Sequence, residues 1–163
     1  MADFSFDIVS QFDRQELVNA IDQVKRELSF RYDFKASPYD FILEKESLTV
    51  SAEDDYKLKA IQEILRVKLV SRKLDQRILN FTTESEKAAG NTVRQKMPIA
   101  MGLKQEKAKE ISKFINTSFK KAKVSIQGED VRVSSTSKDT LQEIITFLKE
   151  HDFGIPLQFT NYR

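Results

Sequence analysis

Few residues in this chain can make or break bonds. Its 163 residues include no Cys and one His, His151, so thiolate nucleophiles and Cys/His zinc sites lack their raw material, and with no second His and no Gly-x-Ser-x-Gly a nucleophilic triad is not expected. The four glycines, Gly90, Gly102, Gly128 and Gly154, lie apart, and neither a Walker loop nor Gly-x-Gly-x-x-Gly can be written. A nucleotide site would rest on side chains and helix termini. His151, beside Asp152 at the end of the last helical pattern, reads as a C-terminal cap. Asp54-Asp55 could in principle hold Mg²⁺, but acids at a helix start ordinarily complement its dipole. The chain is therefore expected to bind rather than catalyse, without metal or cofactor.

What remains is charge. Residues 1–91 carry 14 Lys+Arg against 17 Asp+Glu, and residues 92–163 carry 13 against 8. Between Arg94 and Lys123 the cations Arg94, Lys96, Lys104, Lys107, Lys109, Lys113, Lys120, Lys121 and Lys123 face only Glu106 and Glu110. Such a patch either attracts nucleotides or nucleic acid, or simply solvates a helix surface. In KVSIQGEDVRV, strand alternation sends Val124, Ile126, Val131 and Val133 beneath the helices. Lys123, Ser125, Gln127, Arg132 and Ser134 then share the opposite face. In LQFTNY the same rule buries Leu157 and Phe159 and turns out Gln158, Thr160 and Tyr162. That surface suits phosphate and base edges, but any half-exposed sheet is polar outside.

The elements that must position these residues follow from periodicity. Asp13 and Glu16 match a capping box ahead of Leu17, Ala20, Ile21, Val24 and Leu28. Tyr39–Leu43 and Ser47–Ser51 read as a hairpin, and a second helix carries Leu58, Ile61, Leu65 and Leu69. Ile78–Thr82 reads as a strand and residues 80–91 as a linker. The second half repeats the plan: a strand over Thr92–Ile99, a helix over Lys104–Phe119, a hairpin over Lys123–Gln127 and Val131–Ser135, and a last strand over Leu157–Tyr162. Its other helix, with Leu141, Ile144, Ile145 and Leu148, is expected to start on Thr136 and Asp139. With Phe4–Val9 as opening strand, each half reads β-α-β-β-α-β. The fold class is α+β, a tandem duplication of ferredoxin-like, ribonucleoprotein-like units (1–91 and 92–163) with helices on one face of antiparallel sheets.

Two patterns narrow the reading further. An RNA-recognition module needs aromatics on its central strands, where this sequence has Val, Ser, Arg and Gln, so a base-stacking platform is not expected. The cluster Phe30, Tyr32, Phe34, Tyr39 and Phe41 reads mainly as core and hairpin packing. The absence of Cys fits a reducing cytosol. No window is apolar enough to span a bilayer and the first residues do not resemble a secretory leader, so a cytoplasmic location off the membrane is expected.

FDIVS at 6–10, RYDF at 31–34, LKAIQEILRVKLVSR at 58–72, LKQEKAKEISKFI at 103–115, SIQGEDVRV at 125–133 and PLQFTNYR at 156–163 together resemble the YajQ family of bacterial nucleotide-binding proteins. The resemblance runs along essentially the whole chain. It implies that the opening strands, 4–9 and 92–99, are exchanged between the two units. It also implies a nucleotide ligand, cyclic di-GMP or GTP/ATP, and for some relatives action with a transcription regulator. Relatives continue the VRV strand with Thr-Gly-Lys and an Arg-Asp-Asp-Leu-Gln run, whereas this chain reads Ser134-Ser135-Thr136-Ser137-Lys138-Asp139-Thr140-Leu141-Gln142. Lys121, Lys123, Arg132 and Arg163 match basic positions, and with Gln127 and Lys138 they form the expected nucleotide-binding set. An RNA- or DNA-binding module, or a scaffold without ligand, are the alternatives.

Overall fold

A computed structural model describes residues 3–163. The elements run β1 (Phe4–Val9), α1 (Arg14–Phe30), β2 (Tyr39–Leu43), β3 (Ser47–Ala52), α2 (Asp55–Ser71), β4 (Glu86–Ala88), β5 (Thr92–Pro98), α3 (Gln105–Ser118), β6 (Lys123–Gln127), β7 (Asp130–Ser135), α4 (Lys138–Lys149) and β8 (Gln158–Thr160). They form two four-stranded antiparallel sheets, ordered β2-β3-β5-β4 and β6-β7-β1-β8. The fold is α+β and consistent with duplicated ferredoxin-like units. Because β1 lies between β7 and β8 while β5 lies between β3 and β4, one compact unit is Phe12–Ile99. The other joins the chain through Gln11 to Ala100–Arg163.

In the unit Phe12–Ile99, α1 buries the stripe Leu17, Ala20, Ile21, Val24 and Leu28, and α2 buries Leu58, Ile61, Leu65 and Leu69. They meet Leu48, Val50, Ala52 and Met97 of the sheet, which are fully buried. Each such large aliphatic side chain stabilises by roughly 1.5–3 kcal/mol relative to exposure, the force that holds otherwise marginal helices. Asp13 caps α1, its carboxylate accepting the Gln15 N–H at 3.0 Å. Glu16 does not complete the capping box. Its carboxylate instead takes Arg72 from α2 at 2.8 and 2.9 Å, which holds it below the usual carboxylate range.

One expectation is corrected here. Residues 78–82 are not a strand: a 3-10 turn spans Gln76–Ile78, and Leu79 makes only an isolated bridge with Ile99. The Asn80 carboxamide oxygen then accepts the Thr82 N–H at 2.9 Å and turns the chain, leaving Ile78 and Leu79 as core filler. The strand that completes the sheet is the polar β4, inside the expected linker 80–91. Of the aromatic cluster, Phe34 and Phe41 are buried, but Phe30 and Tyr32 are 84% and 89% exposed.

In the other unit, Phe6, Ile8, Val131 and Val133 form the inner sheet face. They pack against Ala108, Ile111 and Ile115 of α3 and Leu141, Ile144, Ile145 and Leu148 of α4. The cap of α4 is Ser137 rather than Thr136, because its hydroxyl accepts the Thr140 N–H at 3.3 Å. The imidazole of His151 lies 4.5 Å from the Phe114 ring and 4.4 Å from Phe153, centroid to centroid, so it packs in an aromatic cluster rather than capping a helix through its ring. In the unit Phe12–Ile99, Asp54 accepts the Lys57 N–H as the cap of α2, and Asp55 accepts the Ser85 hydroxyl.

Candidate functional site

Strand register aligns the polar residues into rows. In antiparallel sheets, residues directly opposite share a face. Lys123 opposes Ser134, Ser134 opposes Ser5, and Ser5 exchanges both backbone hydrogen bonds with Arg163, at 3.0 and 3.2 Å. The four therefore form one row across the sheet, two hydroxyls framed by two cations. With strands about 4.8 Å apart, the Cα atoms of Lys123 and Arg163 are separated by about 14 Å. The next row is Ser125, Arg132, Asp7 and Thr160, and Gln127 opposes Asp130 beyond it.

The C-terminal end of the row depends on a bulge. Asp7 opposes Thr160, yet Ser5 opposes Arg163, so the outer strand carries one extra residue. Asn161 absorbs it with φ 57°, a left-handed conformation that Asn tolerates better than most residues. Its carboxamide nitrogen donates to Asp7 Oδ2 at 2.7 Å. The bulge reverses the parity beyond it. Tyr162, expected on the polar face, comes to 6.3 Å from the Phe6 ring centroid, and Arg163 takes the polar side beside Asp7.

Asp7 is the electrostatic centre of this face. Its carboxylate is buried and accepts Arg132 Nε at 2.9 Å and the more distant Nη2 at 3.4 Å. The Arg132 hydrogen bond is the main reason its carboxyl titrates below the usual range, with Asn161 and Arg163 adding to it against the opposing effect of burial. The same contact raises Arg132. Arg132 is thus already committed to a carboxylate, whereas Lys123 forms no ion pair among the described residues.

Of the six expected site residues, the structure brings Lys123, Gln127, Arg132 and Arg163 to one sheet face. Lys121 lies exposed in the turn before β6. Lys138 opens α4 on the helix side, its Nζ 4.9 Å from the Phe4 ring centroid, and is separate from the group. Ile126, expected under the helices, is 41% exposed because β6 is an edge strand incompletely covered by α3. Ser5, Asp7 and Asn161 are the residues that sequence reasoning missed. A polar Ser5 and Asp7 alternating with Phe4, Phe6 and Ile8 was the available signal.

This fold and face define an α+β protein of two antiparallel sheets, one with a cation-framed, hydroxyl-bearing surface. The chain belongs to the YajQ family of nucleotide-binding proteins, whose family model, described as "Nucleotide-binding protein YajQ-like", matches residues 4–163. It is 52% identical over 163 residues to a nucleotide-binding protein of Koribacter versatilis, covering 100% of this chain and 99% of the relative. It is 51% identical over 160 residues to one of Nostoc punctiforme, covering 98% of each. A nucleotide-binding protein of Trichormus variabilis is 49% identical over 160 residues, again with 98% of each chain covered. Among the described residues, no helix is long and apolar enough to cross a membrane.

Proposed function

We propose that the polar face of the sheet β6-β7-β1-β8 binds a nucleotide and signals through a regulatory protein partner, without chemistry on the ligand. The observation that carries this reading is the row Lys123, Ser134, Ser5, Arg163. A cyclic dinucleotide such as cyclic di-GMP fits it best. Its two separated phosphodiesters match cations at the two ends, with hydroxyls between them for phosphate or sugar oxygens. A linear triphosphate concentrates its charge and is better served by clustered backbone donors, for which this chain has no glycine-rich loop. The names of the relatives and the family support a nucleotide ligand and do not specify which one.

The test is calorimetric titration with cyclic di-GMP, GTP, ATP and a short single-stranded RNA at two salt concentrations. A charge-assisted contact contributes about 1.5–3 kcal/mol, so Lys123→Ala and Arg163→Ala are each expected to weaken cyclic di-GMP binding about ten-fold or more. Affinity unchanged in both variants refutes the site. Binding of RNA alone, with a steep loss on adding salt, refutes the small-ligand reading in favour of a backbone-tracking surface.

A further inference from the structure

The two sheets have four edges, and three are poor templates for a further strand. β4 and β8 are each only three residues long, and the bulge at Asn161 interrupts pairing beyond β8. In β2 the Asp40 carboxylate accepts the backbone N–H of its neighbour Phe41 at 2.9 Å, which occupies an edge donor. β6 differs: five residues long, it pairs only with β7, and no side chain of a described residue is turned onto its outer backbone. An unprotected strand of this length is a template for strand addition.

Beside this edge runs a groove of about 380 Å³ between α3 and β6. Lys109 and Lys113, one helical turn apart, lie along one wall, with the Asn116 amide beyond them and Ile126 as an apolar floor. Neither lysine forms an ion pair among the described residues, unlike Lys104 and Lys107, which meet Glu129 and Glu110. Lysines at an edge repel a basic or like-charged strand, and by the same charge they select an acidic one.

We propose that β6 is a docking edge for an extended acidic segment of a partner protein. That segment pairs its backbone with β6, sets alternate carboxylates against Lys109 and Lys113, and seats an apolar side chain on Ile126. The edge adjoins the nucleotide row, which begins at Lys123 of β6, but Lys109 and Lys113 belong to α3 and take no part in that row.

The probe is a short fluorescent peptide alternating glutamate with valine, titrated into the full chain by anisotropy. A serine-for-glutamate counterpart and a version with alternate backbone nitrogens methylated serve as comparisons. The expected result is saturable binding of the acidic peptide, at least ten-fold weaker binding of the serine peptide, and a similar loss on methylation. Lys109→Glu with Lys113→Glu should weaken the acidic peptide at least ten-fold while leaving cyclic di-GMP titration and the circular dichroism spectrum unchanged. Equal affinity for the serine peptide overturns the charge selection. Equal affinity for both methylation registers overturns strand pairing even if the lysine variant fails to fold, since one of the two must block the nitrogens that face β6.

Discussion

Asp7→Asn tests the electrostatic centre of the proposed site. The substitution preserves shape but removes the charge that Arg132 Nε approaches at 2.9 Å. It also replaces one of the two oxygens to which Arg132 and Asn161 donate, at 2.9 and 2.7 Å, with an amide nitrogen, so a hydrogen bond is lost unless the Asn161 carboxamide turns to accept it. Removing one partner of a fully buried ion pair costs about 3–5 kcal/mol. Here the Asp7 side chain is 11% accessible but that of Arg132 is 32%, so water screens part of the interaction. A loss of about 2–3 kcal/mol at pH 7 is expected, within the range for hydrogen bonds to charged groups. The assay is urea unfolding followed by circular dichroism, as a function of pH.

The sign of the pH effect follows from the depressed carboxyl of Asp7. In the unfolded chain it titrates near its ordinary value of about 3.9. Its stabilisation is therefore fully present above that value and disappears as pH falls through the lower folded value. The gap between native and variant should hold from neutrality to about pH 5 and close below about pH 4. No gap at pH 7 refutes the ion pair as a stabilising element. A gap undiminished at the acid end would assign the loss to packing. The variant also releases Arg132, so cyclic di-GMP should bind more tightly.

Three further substitutions probe the frame. Gln95→Leu strips the carbonyls of Phe81 and Thr83 of donors at 3.1 and 2.6 Å and removes the acceptor for the Gln62 amide, so a loss of about 2–3 kcal/mol is expected by urea unfolding. Hydrogen exchange should accelerate first around β4 and β5. Gly102→Ala forces an L-residue to φ 80° and drives its Cβ to 2.2 Å from Glu129 Oε2, a far end that can swing aside. The backbone conformation alone is expected to cost about 1–2 kcal/mol, measured as a lowered melting midpoint. Asp13→Ala removes the α1 cap and should cost about 1 kcal/mol, recovered in large part by Asp13→Ser.

The helices were legible because burial imposes a 3.6-residue period on Leu17 to Leu28 and on Leu141 to Leu148, and water enforces the polar remainder. Alternation likewise exposed the hairpin of β6 and β7, whose Gly128 sits at φ 63° in the turn. The strand β4 was hidden: Glu86, Lys87 and Ala88 form a short polar edge with no hydrophobic period, while the apolar Ile78 and Leu79 mimic a strand and fill the core. Ile126 misled because alternation says which side of a sheet a residue occupies, not whether a helix covers it there. The pairing of Asp7 with Arg132 spans 125 positions, and no local pattern encodes it. Nor does any period foresee the extra residue at Asn161, which decides whether Tyr162 or Arg163 joins the polar face.

The second sheet supplies an internal control for the proposed site. In the sheet β2-β3-β5-β4, register places Asp40, Ser51, Arg94 and Glu86 in one row on the face away from its helices. Geometry is shared with the row Lys123, Ser134, Ser5, Arg163, but charge is not. The single cation, Arg94, is held by Glu86 at 2.7 Å, and the strand at the far edge contributes an acid where the other unit has a lysine. One row is thus framed by two cations and the other carries a net negative charge. Since both sheets share the same strand order, the fold alone cannot account for the proposed anion binding. On the proposed reading that property resides in the side chains that end each row, so Lys123 and Arg163, rather than the scaffold or the internally paired Arg132, are the residues on which it stands.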